Sequence, residues 1–260
     1  MTAAQTLASP TRAPEHTPRV RVAIRFSIDG DLRFLSHQDE RRLLARALRR
    51  ARWPLAYSQG FNPQPRLALI LPRRVGTASA CEWAIVELSE PCAVEQLRQN
   101  LAAALPPACC LQCVVEVTTR AMPQPRRVHY NVELEPEHAA QAGRRIAGLL
   151  AAETVTVERT YGPGKPPRAI DIRLYIETVI LSDRTLSVQL AFVDRRTARP
   201  TEVLTALSLP AGAYNHRVRR VEVEWDTALT GATPWPVGPE RKHVGQQEDC
   251  KAQTQKEHDA

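Results

Sequence analysis

Residues 33 to 66 hold the densest set of side chains able to grip an anion. At about 100° per residue, Leu43, Leu44, Ala47, Leu48 and Ala51 share an arc of about 140° on one helix. Arg41, Arg42, Arg46, Arg49, Arg50 and Arg52 fall on the opposite half. No carboxylate is interleaved among them, so the i,i+4 ion pairs that usually steady an exposed helix cannot form. Each guanidinium can instead donate two parallel hydrogen bonds to a phosphate or carboxylate. The run Tyr57-Ser58-Gln59-Gly60-Phe61-Asn62-Pro63-Gln64-Pro65 follows directly. Tyr57 and Phe61 offer stacking surfaces, Ser58 and Asn62 offer hydrogen bonds, and Gly60 permits close backbone approach. Two prolines stiffen the segment. The pattern predicts an anion or nucleic-acid site made of Arg33, Ser36, His37, Arg42, Arg46, Arg49, Arg50, Tyr57, Ser58, Gly60, Phe61, Asn62 and Arg66. The bland alternatives are a solvated arginine face paired with acids elsewhere, and aromatic residues that plug the core.

His37 stands between Ser36 and Asp39, where it could serve as a general base with Tyr57 or Ser58 assisting. It could equally help fix the helix start, and no second catalytic partner is evident. The expectation is therefore a protein without catalytic activity of its own, His37 being the candidate if there is any. Farther along, Tyr161-Gly162-Pro163-Gly164-Lys165-Pro166-Pro167-Arg168 is a glycine-proline loop without the spacing of a Walker phosphate loop. Lys165, Arg168 and Arg199 join the anion-binding candidates. Asp171, Arg173, Arg195 and Arg196 read as surface more than as site.

Cys109-Cys110-x-x-Cys113 contains spacings that suit a metal, but it sits in a strand-like run and no second ligand pair accompanies it. Strand alternation would put Cys109 and Cys113 on one face and Cys110 on the other. Buried thiols packing as small hydrophobes are expected, with no metal or cofactor.

The elements that must position these residues are legible from periodicity. Val20 onward alternates as a strand; Ser36 with Asp39 three residues on opens a helix, and Pro54 is expected to close it. Arg66 to Leu71 and Trp83 to Leu88 read as strands, Val94 to Ala104 as a helix, and Leu111 to Val117 as a strand. After the proline-broken run 120–126 the order recurs. Val128 to Leu134 is a strand and Glu135 to Ala152 a helix. Thr154 to Thr160, Ile170 to Leu181 and Thr185 to Val193 are strands, a helix starts at Pro200, and a strand closes the series at His216 to Trp225. The prediction is an α+β protein of two consecutive ferredoxin-like βαββαβ units with antiparallel sheets and disordered N- and C-terminal tails. Its divisions are a disordered segment 1–18, a first unit 19–119, a linker 120–126, a second unit 127–225 and a disordered tail 226–260.

Lys and Arg outnumber Asp and Glu by 35 to 28, giving a net charge of +7. The tail from Asp226 on is net acidic, so the excess charge belongs to the part expected to fold. An acidic partner follows, though an arginine-, alanine- and proline-rich composition can also arise from GC-rich coding. No run nears the roughly 20 apolar residues of a membrane span, and the first 18 residues lack a secretory h-region. A cytoplasmic protein with no membrane association is expected.

Taken together, Arg33-Phe34-Leu35-Ser36-His37-x-Asp39, Arg46-Ala47-Leu48-Arg49-Arg50-Ala51, Pro54-Leu55-Ala56-Tyr57-Ser58-x-Gly60-Phe61-Asn62-Pro63-x-Pro65 and Ala198-Arg199-Pro200-x-Glu202-Val203-Leu204 resemble the bacterial radical-SAM-linked family, a domain-of-unknown-function family. The resemblance implies a partner radical S-adenosylmethionine protein, encoded beside it or fused to it. Gln38 and Gln64 depart from the family pattern, Gln64 standing where a histidine is common. The chain also lacks the Cys-x-x-x-Cys-x-x-Cys motif needed to cleave S-adenosylmethionine itself. The resulting expectation is an accessory protein that binds RNA, tRNA or rRNA, and supports that enzyme. The alternatives are an RNA-processing enzyme using His37 as general base, and an interaction subunit docking on an acidic partner surface.

Overall fold

The computed structural model describes residues 20–117, 120–162 and 164–226, so the expected tails lie outside the described residues, Asp226 excepted. Among those residues it is a mixed α+β structure with five helices and a mostly antiparallel sheet. The first half contains β1 (Val20–Ile28), α1 (His37–Arg50), β2 (Leu67–Leu69), β3 (Ala78–Leu88), α2 (Val94–Ala104) and β4 (Leu111–Val117). The second contains β5 (Gln124–Glu133), α3 (Pro136–Ala151), β6 (Thr156–Arg159), β7 (Arg168–Asp171), β8 (Ile176–Ser182), β9 (Thr185–Ala191), α4 (Pro200–Ala206), α5 (Ala211–Tyr214) and β10 (Val218–Asp226).

Sheet order is β4-β1-β3 in the first half, with β2 on the far side of β3, and β10-β5-β9-β8 in the second. Leaving aside the separate β6–β7 pair, each half runs last, first, third, second, and all these pairings are antiparallel. The halves fuse into one sheet where β10 pairs in parallel with β3 at Arg219↔Ala78 and Arg220↔Ser79. Each keeps its own core. Val22, Ile24, Phe26 and Ile28 of β1 alternate onto the apolar face of α1, while Val128, Val132, Leu186, Val188 and Leu190 belong to the second core.

Four expectations need correction. Helix α1 ends at Arg50, before Pro54: Arg52 takes φ 53°, its N–H donates to Arg49 O, and Trp53 N–H donates to Leu48 O. This is a Schellman motif with arginine where glycine is usual, and it drops the Trp53 indole into the core to donate to Leu97 O. Arg52 therefore leaves the helical face. The predicted strand Ile170 to Leu181 is two strands, because Asp171 Oδ1 accepts from both Val155 N–H and Arg173 N–H and a short 3₁₀ turn intervenes. Its first part pairs with the Thr154 to Thr160 segment in a small sheet of its own, leaving β8 and β9 to the main sheet. Gln124 to Arg126, assigned to the linker, already belong to β5.

The cysteine alternation also fails. Leu111 pairs with Phe26 but Cys113 pairs with Arg25, so one extra residue bulges out and resets the faces. Cys109 is buried in the first core, where burial pushes its thiol up to about 12, whereas Cys113 packs on the opposite face.

Candidate functional site

The period of helix α1 turns one charged residue, Glu40, inward and leaves its arginines outward. Ser36 caps it, its Oγ accepting from Asp39 N–H at 3.2 Å and donating to Asp39 Oδ2 at 2.7 Å. Asp39 also receives Arg42 at 3.0 Å. The Ser36 hydroxyl and then Arg42 hold its carboxyl below the ordinary value. One residue on, Glu40 points inward and is buried. Leu44, Ala47 and Leu48 follow it into the core.

The outward face meets the segment that follows the helix. Arg41, Arg42, Arg46 and Arg49, with Ala45 between them, line one wall of a groove of about 220 Å³, and Gln64, Pro65 and Leu67 line the other. The geometry is that of adjacent i,i+4 rows, Arg42 with Arg46 and Arg41 with Arg49 flanking Ala45. Among the described residues, Arg41, Arg46 and Arg49 make no hydrogen bond or ion pair. Four guanidiniums therefore face one groove, and among the described residues one carboxylate, Asp39, pairs with them.

The adjoining loop is a closed projection. Tyr57 bridges to Pro65, Ser58 N–H donates to Gln64 O at 2.8 Å, and Gln64 N–H returns a bond to Ser58 Oγ at 3.0 Å. Gln64 Nε2 then donates to Asn62 Oδ1. Gly60, at φ 126°, makes the turn that other residues resist. Phe61 at the tip is fully exposed and Tyr57 partly so, and neither plugs the core. An aromatic ring held in water on a braced loop beside cations is a surface on which a base can stack.

Structure separates the remaining sequence candidates from this groove. Arg33 is a strut, donating to Gly30 O, to Asp29 and across to His216 O. Arg50 turns to Ala104 O at the end of α2, and Arg66 donates to Tyr57 O and lies 3.7 Å from Glu87. Lys165 and Arg168 are exposed on and beside β7. Arg199 is half-buried; burial and then Arg74 lower its pKa, and its N–H donates to Glu202. His37 keeps a buried Nδ1 without a hydrogen-bond partner among the described residues, so no group orients its ring as a base. Ser58 is committed to the loop closure.

A second charged system escaped the sequence patterns. Arg73 pairs with Glu40 at 3.0 Å and Arg220 with Glu82 at 3.0 Å, all four side chains buried where the halves meet. Arg73 also donates to Leu32 O, Arg33 O and Thr77 O, and Arg220 to Leu71 O and Pro72 O. Burial, reinforced by Glu82, pushes the Glu40 carboxyl up to about 7 against the pull of Arg73, and its Oε1 lacks a partner. Burial is the largest influence on Arg220 and opposes its charge, but Glu82, Tyr130 and Cys81 together more than offset it and raise that pKa. For Glu82 and Arg220 the available signal was a charged residue inside a strand, β3 and β10; Glu40 on its helix and Arg73 in a loop offered none.

Fold and site thus define a mixed α+β protein with a cation-walled groove beside an exposed aromatic loop. The chain matches, over residues 21–201, the family described as uncharacterized protein conserved in bacteria (DUF2344), and it belongs to that family. The matched region contains α1, the groove and the Phe61 loop. A comparison with curated proteins finds no match. Among the described residues no helix is long and apolar enough to cross a membrane.

Proposed function

We propose that the protein binds RNA, tRNA or rRNA, in the α1 groove and acts as an accessory to a partner radical S-adenosylmethionine enzyme in the cytoplasm. One observation carries the RNA assignment: Arg41, Arg42, Arg46 and Arg49 converge on a groove whose neighbouring loop holds Phe61 fully in water. Phosphates suit the guanidiniums, and an unpaired base suits the ring, a combination characteristic of single-stranded recognition. The partner enzyme is inferred from the motif resemblance alone. The repeated last-first-third-second strand order supports treating each half as a ferredoxin-like unit, a frame on which the groove lies at the edge of the first. Binding is favoured over RNA cleavage because, among the described residues, neither His37 nor Ser58 has the relay of partners that general base chemistry requires.

The test is filter binding of bulk tRNA and rRNA fragments across a salt series. Changing Arg42, Arg46 and Arg49 to Glu should abolish binding, and the wild type should weaken with salt at a log–log slope of roughly −0.7 per phosphate contact. Equal binding by wild type and triple variant would overturn the proposal. Co-purification of an acidic protein that survives nuclease and is lost in the variant would instead assign the groove to protein docking.

A further inference from the structure

We propose a second ligand pocket, at the seam between the halves, that takes a nucleoside phosphate. The cavity measures about 510 Å³, within the roughly 300–1,000 Å³ of small-molecule sites. Its apolar wall is made by Ile70 and Leu71 after β2, Pro125 at the start of β5 and Phe192 after β9. Arg126 and Arg195 supply two guanidiniums to the same lining, and neither side chain has a hydrogen bond or ion pair among the described residues. Gln124 adds an amide that can both donate and accept, a match for sugar hydroxyls. A flat base against Phe192, a phosphate between the arginines and a ribose toward Gln124 would use each of these groups. A bare polyanion would leave the apolar wall unused, and a purely apolar ligand would leave both cations without counter-charge.

The backbone that presents Arg195 is a separate indication. Val193 and Arg196 exchange two hydrogen bonds of 2.9 Å across a turn whose central residues, Asp194 and Arg195, take φ 49° and 61°. Positive φ at both central residues is the type I′ hairpin, for which Asp-Gly is the favoured pair. An arginine in the left-handed region is less stable there than glycine. The residue contributes nothing to the turn that glycine would not do better, but its side chain reaches the cavity. The pocket shares no lining residue with the α1 groove, so it does not depend on the RNA assignment of that groove.

Isothermal titration of the full chain with AMP, GMP, CMP and UMP, the matching nucleosides and inorganic phosphate tests the pocket. Saturable binding of at least one nucleotide is expected, tenfold or more tighter than its nucleoside. Arg126→Ala and Arg195→Gly should each weaken it about tenfold, the value of one charge-assisted contact. Arg195→Gly should unfold at the same or higher temperature than the wild type, which separates loss of a ligand contact from loss of fold. Arg46→Glu, in the groove, should leave nucleotide affinity unchanged. A 5′-phosphorylated oligoribonucleotide distinguishes the two sources of this chemistry: if Arg195→Gly weakens it in parallel, the pocket seats an RNA end, and if only free nucleotides are affected, it seats a mononucleotide. No saturable binding up to about 5 mM, or nucleotide binding lost in Arg46→Glu but retained in Arg195→Gly, would overturn the proposal.

Discussion

The arginines of the α1 groove and those of the seam share a side chain and little else. Arg41, Arg46 and Arg49 have no ion pair among the described residues, whereas Arg73 and Arg220 are buried, each against one carboxylate and two or more backbone carbonyls. The contrast meets within one helix. Glu40 turns inward to Arg73, and Arg41 and Arg42, the next two residues, turn out to the groove. Inner pairs lock the helix, the loop after β2 and the two halves together, and so hold the outer face in position without using any of its cations. Counting arginines would assign both regions the same role. Their partners separate a strut from a presented charge.

The largest way to break that contrast is Arg220→Ala. Removing one member leaves Glu82 buried without its guanidinium partner, and unfolding in urea should show a loss of about 3–5 kcal/mol. Changing Glu82 and Arg220 together to Leu should recover a substantial part, the remainder reflecting the Leu71 and Pro72 carbonyls left without a donor, roughly 1 kcal/mol each. A double variant no more stable than the single would show that the carbonyl bonds, and not the charge pair, dominate. Next in size is a pH effect. Folding raises the Glu40 carboxyl from 4.5 to about 7, so between those values the folded state holds more protons than the unfolded one. Stability should therefore fall as pH rises from 4.5 through 7, by on the order of 1–3 kcal/mol, and Glu40→Gln should flatten the profile. A wild-type profile that rises over this window would mean that Arg73, and not burial, governs Glu40.

What could be read in advance follows the range of the interactions. Helix α2 and strand β4 have the bounds that periodicity assigns, and the groove was legible because a helical face and the loop after it are neighbours in sequence. Local rules missed features set by distant contacts. Glu40 and Arg73 lie 33 residues apart, and Glu82 and Arg220 lie 138 apart. No window of periodicity spans such pairs. Arg33 looked like part of the basic patch, but its partner His216 O is 183 residues away. Alternation cannot show the bulge that parts Cys109 from Cys113, and the left-handed turn at Arg52 lacks the glycine that normally announces one.

Smaller effects on stability test the groove side. Arg46→Glu places a carboxylate four residues after Arg42, three before Arg49 and four before Arg50. Each new pair should steady the helix by about 0.2–0.5 kcal/mol. The same change should lower RNA affinity and reduce the salt slope, which is opposite to what removing a seam arginine does to folding. A destabilised Arg46→Glu protein would mean that this side chain, like those of the seam, holds the fold.

Phe61→Ala should change stability least, within about 0.5 kcal/mol, because the ring is fully exposed and the loop is closed by Ser58 and Gln64. Its effect belongs to binding, about 1–3 kcal/mol if a base stacks on it. The loss should persist at high salt, since stacking releases no counterions, whereas the contribution of Arg46 should shrink. Measuring both variants at low and high salt separates ring from charge within one site. An Phe61→Ala loss that fades with salt in step with Arg46→Glu would reduce the loop to a bystander and leave the groove a purely electrostatic surface.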